Sequence, residues 1–280
     1  MGVFYEQIPE NIYEWILQQK MFWVATAPLS KNGHINVSPK GGEYFGLVDN
    51  KTFWYMDLSG SGVETISHLR ENGRVTIMLQ AFEGSPRIVR LWGCGRILER
   101  ESPEFNDFIA QHSVKTIPAT RSIIIVDTHQ VGSSCGYSVP TYEFKGFRQT
   151  LNQVFEKRKE KFDKGKTDES MDHYWAYKSA WSIDGLPAMQ RGLDAGIRES
   201  VEPLVKMIGP HAPPAPFGPK SSNISAQLRY RMARFSTTQI NLQTVLLLLL
   251  LAFASGLVAA TYGPVLNETY RNRVSNVLRL

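Results

Sequence analysis

Short strand-like runs recur along the first half of the chain, and turns rather than helices join most of them. The runs are Phe22–Ala27, His34–Ser38, Thr52–Asp57, Val75–Phe82, Ile88–Leu98 and Ser122–Val126. Each is rich in β-branched or aromatic residues and is bounded by Gly, Pro, Asn or Ser. Lys31-Asn32-Gly33 reads as a hairpin turn, because Asn-Gly suits the positive φ angles of a tight reversal. Asp49-Asn50-Lys51 reads as the next turn. Helical spacing is confined to Glu10–Lys20, with Ile12, Trp15 and Ile16 on one face, and to the short stretches Val63–Glu71 and Pro103–Ala110. Parallel strands would need a helical crossover at every step. The pattern therefore predicts a mainly β, α+β fold: an antiparallel barrel with peripheral helices and not a parallel Rossmann sheet.

Beyond Gly146 the periodicity changes. Phe147, Leu151, Val154, Phe155 and Phe162 fall on one helical face, which should pack on the outside of the barrel or across a dimer. Tyr174–Trp181 is aromatic, and Ser182–Pro187 is rich in turn formers. Five prolines between Gly209 and Ser222 mark a linker. After it, Leu242–Tyr262 is almost wholly apolar, with Leu246–Leu251 at its centre, and no charged residue lies between Arg234 and Glu268. A bilayer core about 30 Å thick takes roughly 20 apolar helical residues, so this run predicts one transmembrane helix. The start of the chain, with Glu6, Glu10 and Glu14 and no long apolar core, does not read as a signal peptide. The resulting expectation is a single-pass tail anchor with the globular part facing the cytoplasm. The boundaries read as a barrel over 1–145, a helical and turn-rich extension packed on it over 146–208, a linker over 209–234, a membrane helix over 235–264 and a short polar tail over 265–280.

The net charge of +5 is spread widely. Its densest patch, Lys157–Lys166, is interleaved with Glu and Asp, which suits a solvated helix end better than a nucleic-acid surface. Cys94 and Cys135 form no CxxC motif, and the histidines show no metal-ligand spacing, so no metal site is expected. No GxSxG elbow or HExxH motif is present.

Two segments carry candidate chemistry. Asn36-Val37-Ser38-Pro39-Lys40-Gly41-Gly42 ends the second strand, where Pro39 stops the ladder and presents Lys40 at the barrel rim. Asp57-Leu58-Ser59-Gly60-Ser61-Gly62-Val63-Glu64-Thr65 is a Gly/Ser loop running from a strand into a helix. Free N–H groups at a helix start, hydroxyls and a nearby lysine together make a phosphate site. The competing reading is that Ser61-x-x-Glu64 is a capping box that satisfies the same N–H groups internally.

The chain resembles the pyridoxamine-phosphate-oxidase-like flavin proteins with the FMN-binding split barrel of Greek-key type, and more narrowly their fungal-type branch. The matching stretches are Asn36–Gly41, Ser59–Leu69, Arg70–Arg74, Ala81–Ile88, Cys135–Pro140 and Ser182–Pro187, in the expected order. The resemblance implies an FMN cofactor whose phosphate is held by Lys40, Ser61 and Thr65 around Gly62. Ser38, Ser59 and Gln80 would then lie along the ribityl chain or the isoalloxazine. It also implies a homodimer with two sites at the subunit interface. Two features of the true oxidases are missing: the additional phosphate-binding arginines, and the Arg- and Trp-containing closing segment that covers pyridoxal. The implied function is accordingly a membrane-anchored FMN-dependent oxidoreductase acting on an unknown small substrate, and these two departures speak against vitamin B6 oxidation itself. The alternatives are a non-catalytic flavin, deazaflavin or haem binder at a membrane, with His68 or His129 as haem ligand, and an interaction module without a cofactor. Trp54, Trp92 and Phe82 are candidates for stacking near the ring, against an ordinary role in the barrel core.

Removing the chain after Pro210 is expected to release the protein from membranes without unfolding it, which fractionation would measure. A truncated protein that still pellets with membranes would show that the globular part binds them itself.

Overall fold

The computed structural model describes residues 2–210 together with positions 212 and 250. The expected linker beyond residue 212, the membrane helix and the polar tail lie outside the described residues. Among the described residues, no helix is long and apolar enough to cross a membrane.

Eight strands form one antiparallel sheet: β1 (Val3–Tyr5), β2 (Met21–Thr26), β3 (Asn36–Gly41), β4 (Phe45–Leu47), β5 (Thr52–Leu58), β6 (Arg74–Gln80), β7 (Ile88–Glu99) and β8 (Thr120–Ser134). Their order is β3-β2-β6-β7-β8-β5-β4, with β1 also on β8. The two ends of this path, β3 and β4, are consecutive in the chain and joined only by Gly42–Tyr44. Laid flat, six strand spacings of about 4.8 Å would hold them roughly 29 Å apart, whereas four residue steps reach about 14 Å. The sheet must therefore curl back on itself, and the result is an antiparallel split barrel.

The curled sheet closes over Phe22 and Val24 of β2, Phe53 and Tyr55 of β5, Ile77 and Leu79 of β6, and Ile124 and Val126 of β8, all buried. Phe22 meets Phe45, Phe53 and Tyr55 at centroid separations of 5.1, 5.3 and 5.3 Å, in edge-on geometry. One opening is plugged by α1 (Glu10–Gln18) through Ile12 and Ile16. Another face receives α2 (Glu64–Asn72) through Ile66 and Leu69. Outside the barrel, α3 (Pro103–Gln111) covers Met56, Ile123 and Ile125 with Phe105 and Phe108. Its start follows the sequence closely: Ser102 Oγ accepts from Phe105 N at 3.1 Å, and Pro103 occupies the first turn.

Helices α4 (Thr150–Asp163), α5 (Met171–Lys178) and α6 (Gln190–Glu199) make up the extension. Trp175 of α5 is its anchor, fully buried in the barrel's own core cluster. Gly192 of α6 lies where a Cβ would come within 2.8 Å of the Trp175 carbonyl oxygen, so glycine permits that helix contact. The apolar face expected on α4 is mostly uncovered in the single chain: Phe155 is buried, while Leu151, Val154 and Phe162 are exposed.

Several expectations shift. Strand β8 runs to Ser134, far past Val126, because its second half pairs with β7 and β1 despite a polar composition. Short β1 and β4 carry too few residues for a period-2 signal. The loop between β2 and β3 is no tight hairpin: it spans residues 27–35, and neither Asn32 nor Gly33 has positive φ. Asp184 accepts from His34 N at 2.8 Å and faces His34 Nδ1 at 2.6 Å, which sets this loop from outside. Gly33 is required for closeness instead, since a Cβ there would sit 2.3 Å from Pro28. Asp49 does form the expected turn, accepting from Lys51 N and Thr52 N at 2.8 Å each.

The bulge between Trp92 and Gly93 lets β7 follow the bend of β8. A Cβ on Gly93 would meet the Asp127 carbonyl oxygen at 2.5 Å and the Val126 side chain at 2.9 Å, and the Asp127 backbone has little room to yield. Gly93→Ala is expected to destabilise the fold by about 2 kcal/mol, measured by urea unfolding. A loss below about 0.5 kcal/mol would show that the bulge relaxes freely.

Candidate functional site

Strand β3 alternates. Val37, like Ile35 just before the strand, is exposed and points outward, while Asn36, Ser38 and Lys40 are half-buried and turn toward the barrel mouth. Across that mouth lies the loop Ser59–Val63 between β5 and α2. Together they enclose a cavity of about 420 Å3 lined by Ser38, Lys40, Ser59, Ser61, Gly62 and Thr65, with Arg121 on its wall. Six of the seven residues that the sequence assigned to the cofactor therefore border one space. Gln80 lies elsewhere, on a larger groove of about 1360 Å3. The groove runs on from the cavity at Pro39–Gly41, Tyr44 and Leu58, residues that border both.

Electrostatically the site is built on Asp57. Its carboxylate is fully buried, with Lys40 Nζ at 3.0 Å on Oδ1 and Arg121 Nε at 2.6 Å on Oδ2. Burial alone would push this carboxyl up, but the Arg121 and Lys40 charges outweigh it and hold it down at about 2. Arg121 is itself buried at 3% exposure, and its Nη1 is 3.5 Å from Ser179 Oγ. Two cations share one anion, which leaves a surplus positive charge at the cavity wall. Lys40 Nζ also lies 5.8 Å from the Tyr55 ring centroid. Burial, reinforced by the Asp57 charge, raises the Tyr55 hydroxyl well above its ordinary value, so it stays protonated at neutral pH.

The hydroxyls are not equally free. Ser59 is buried and its Oγ accepts from Trp175 Nε1 at 2.8 Å, so it anchors the extension to the loop. Thr65 Oγ1 accepts from Asn36 Nδ2 at 3.1 Å; the same amide donates to Thr26 Oγ1 at 3.2 Å. Ser61 and Gly62 are exposed at the cavity lip. Ser61 does not act as the helix cap. The N-cap residue is Val63, with no side-chain cap, and Glu64 Oε2 accepts from the adjacent Val63 N at 2.9 Å, which is not the contact a Ser61–Glu64 box would make. Gly60 has open space where a Cβ would be, so the loop leaves room above it.

The donor set fits a phosphate: two cations, an exposed serine hydroxyl and a helix start around one opening. Arg121 is a further basic residue on this opening that its local sequence does not single out. It was hidden inside the apolar strand signal of β8, next to Ser122–Val126, and only its pairing with Asp57 identifies it.

The other candidates lie apart. Trp54 packs edge-on against Phe108 at 5.6 Å, and Trp92 stacks on Phe4 at 6.1 Å. Neither borders the cavity or the groove. Phe82 does border the groove, paired with Tyr142 at 5.3 Å. His68 is buried in α2 with Nδ1 2.9 Å from Thr26 Oγ1, and burial lowers its pKa, so it is neutral. His129 is exposed on β8. Neither histidine borders either opening.

The fold and this opening define a split barrel with a cationic mouth. The family model described as pyridoxamine 5'-phosphate oxidase matches residues 8–135. A pyridoxamine 5'-phosphate oxidase family protein of Aspergillus flavus, ustO, is 35% identical over 209 residues, covering 72% of this chain and 82% of that one. The chain belongs to the pyridoxamine 5'-phosphate oxidase family. Among solved structures, it is similar to HupZ of Group A Streptococcus, with 22% identity and a TM-score of 0.36 over 45% of this chain and 99% of that one. It is also similar to a FAD-binding protein from Mesorhizobium loti, with 14% identity and a TM-score of 0.31 over 48% and 96% of the two chains.

Asp57→Asn is expected to cost about 3–5 kcal/mol, because it leaves Arg121 buried without its anion and half-buried Lys40 without its partner. The wild-type carboxyl titrates at about 2 when folded, against an ordinary value of 3.8. A depressed carboxylate stabilises the fold above its unfolded pKa, and that contribution fades as pH falls from about 4 toward 2. The variant should lack this part of the acid slope in thermal melts. An identical slope would mean that Asp57 is not charged in the native state.

Proposed function

We propose that the protein is an FMN-dependent oxidoreductase of this family acting on a small substrate, and that FMN phosphate occupies the cavity beside Lys40. The observation that carries this reading is the gathering of Lys40, Ser61 and Thr65 on one opening with the buried Arg121–Asp57 pair behind it. Lys40 would bind the phosphate by charge, Ser61 by its hydroxyl and Thr65 from the helix start. Arg121 would act on it through the field of the pair and keep Asp57 from repelling it. Gln80 and Phe82, on the adjoining groove, would face the ring end. Bound there, the flavin supplies the redox chemistry, and the chain supplies position and electrostatics. The haem reading is not favoured, because neither His68 nor His129 reaches the opening.

A homodimer is part of the proposal. Ile35 and Val37 are 75% and 60% exposed on the outer side of edge strand β3, whose inner side lines the cavity. Leu29 on the neighbouring loop is 65% exposed. A second copy seated on this apolar edge would remove it from water. Membrane attachment through Leu242–Tyr262 completes the reading.

Lys40→Ala is expected to weaken FMN binding tenfold to a hundredfold and Thr65→Val several-fold. A hydrogen bond to a charged group contributes about 1.5–3 kcal/mol, against about 1 for a neutral one. Salt should weaken wild-type binding more than binding to the lysine variant. Fluorescence titration of FMN into the stripped protein measures both, alongside the absorbance spectrum of whatever copurifies. Wild-type affinity in Lys40→Ala would remove that residue from the site, and a protein that takes up no flavin would overturn the reading.

A further inference from the structure

The start of α2 is already occupied by an anion of the chain's own. Glu64 folds back so that Oε2 accepts from Val63 N at 2.9 Å, while Oε1 accepts from Ile183 N at 3.2 Å. Its carboxylate lies so close over the loop that a Cβ on Gly62 would come within 2.9 Å of Oε2. Gly62 thus makes room for this carboxylate. Glu64 and Gly62 both line the cavity that holds Lys40 and Arg121. The surplus positive charge of the Lys40–Asp57–Arg121 group consequently faces an opening that carries a built-in negative charge.

The second contact reaches further. Ile183 belongs to the turn Ser182–Pro187, which is closed by Leu186 N and Asp184 N donating to Ser182 Oγ at 3.1 and 3.2 Å. Asp184 of the same turn holds the β2–β3 loop through His34 N. Lys206, beyond the turn, donates from Nζ to the Trp181 carbonyl oxygen at 2.7 Å. One glutamate therefore joins the helix start to a turn that also clamps the loop leading into β3.

We propose that Glu64 is a stand-in anion at the phosphate subsite, which an incoming phosphate group must displace, and that its displacement frees the Ile183 amide and loosens the Ser182–Pro187 turn. The proposal rests on the anion-site reading above and adds its regulation. An anion at the helix start gains from the N–H groups and the helix field, and two anions cannot share them. Ligand affinity is then set by an exchange and not by a vacant site. The exchange also couples occupancy to the extension, because the group released on one side is what held the turn on the other.

The test compares the full-length wild type with Glu64→Gln, which keeps an acceptor for Val63 N but removes the charge. The probes are inorganic phosphate and FMN, read by calorimetric titration. The variant should bind each about tenfold more tightly. Gly62→Ala, which crowds the carboxylate without removing it, should give a smaller gain in the same direction. Hydrogen exchange at the Ile183 amide should accelerate when phosphate is added to wild type, and should already be fast and ligand-independent in Glu64→Gln. If FMN binds neither protein, the flavin reading fails and phosphate decides: tighter binding to the variant still supports the exchange. Equal or weaker affinity of Glu64→Gln for phosphate, or Ile183 exchange that ignores ligand, overturns it.

Discussion

A single buried carboxylate organises this barrel mouth. Asp57 sits at the end of β5 with no solvent access, and an unpaired charge there would cost several kcal/mol. It is tolerated because β3 supplies Lys40 at 3.0 Å and β8 supplies Arg121 at 2.6 Å. Those strands reach it from opposite directions along the sheet: β8 is the neighbour of β5, whereas β3 is the far edge. The Lys40–Asp57 contact is therefore a bond across the split, formed only when the sheet has curled. Burial of Phe22 against Phe45, Phe53 and Tyr55 drives that curl. The ion pair then fixes where the two edges stop, and the cavity lies where they stop.

The extension completes what the barrel begins. Trp175 donates to Ser59, Ser179 lies against Arg121, and Ile183 donates to Glu64. All three contacts fall on the loop or wall of the same opening, and none comes from the eight strands. Glu99 in turn holds the start of α6, accepting from Gln190 N at 2.7 Å and Arg191 N at 3.0 Å, as an anion at a helix N-terminus should. The extension is thus fastened by an aromatic plug at Trp175 and, further along, by carboxylates that accept from backbone amides at Ile183 and at the start of α6. A barrel lacking residues 171–199 would leave Ser59 without its donor and Trp175's place in the core unfilled.

Much of this was readable from residue order. The alternation of β2, β5, β6 and β7 and the Asp49 turn each rest on a local signal, and local signals survive folding. The pairing of Lys40 with the Gly/Ser loop was also legible, because both segments carried their chemistry openly. Asp57 and Arg121 were not. An Asp at a strand end reads as a boundary and an Arg before an apolar run reads as a solvated flank; only three-dimensional closure turns the two into a pair. The Ser61–Glu64 box failed for a related reason. The spacing was right, but Ile183, more than a hundred residues away, offers Glu64 a second donor and helps hold the carboxylate while Ser61 stays at the lip. Tertiary partners decided the outcome wherever a polar residue had more than one acceptable role.

On the proposed reading, charge balance around the opening favours a phosphate over a neutral ligand. Lys40, Arg121 and Asp57 sum to one positive charge on a wall that is largely removed from water. Burial holds Lys206 at about 8, with the Glu64 charge opposing that drop, so its amine is mostly protonated at neutral pH. Among the described residues, Glu64 is the only acidic side chain on the cavity lining itself, and it offsets this field with one diffuse charge spread between two amides. A phosphate brings more charge and more acceptor oxygens to the same donors, and can engage Lys40 and the Ser61 hydroxyl as well as the helix start. A neutral ligand would gain none of these contacts and would leave Glu64 where it lies. If Glu64 is displaced as proposed, the opening selects through the carboxylate it already contains: a ligand must satisfy the site's donors better than Glu64 to enter the helix start.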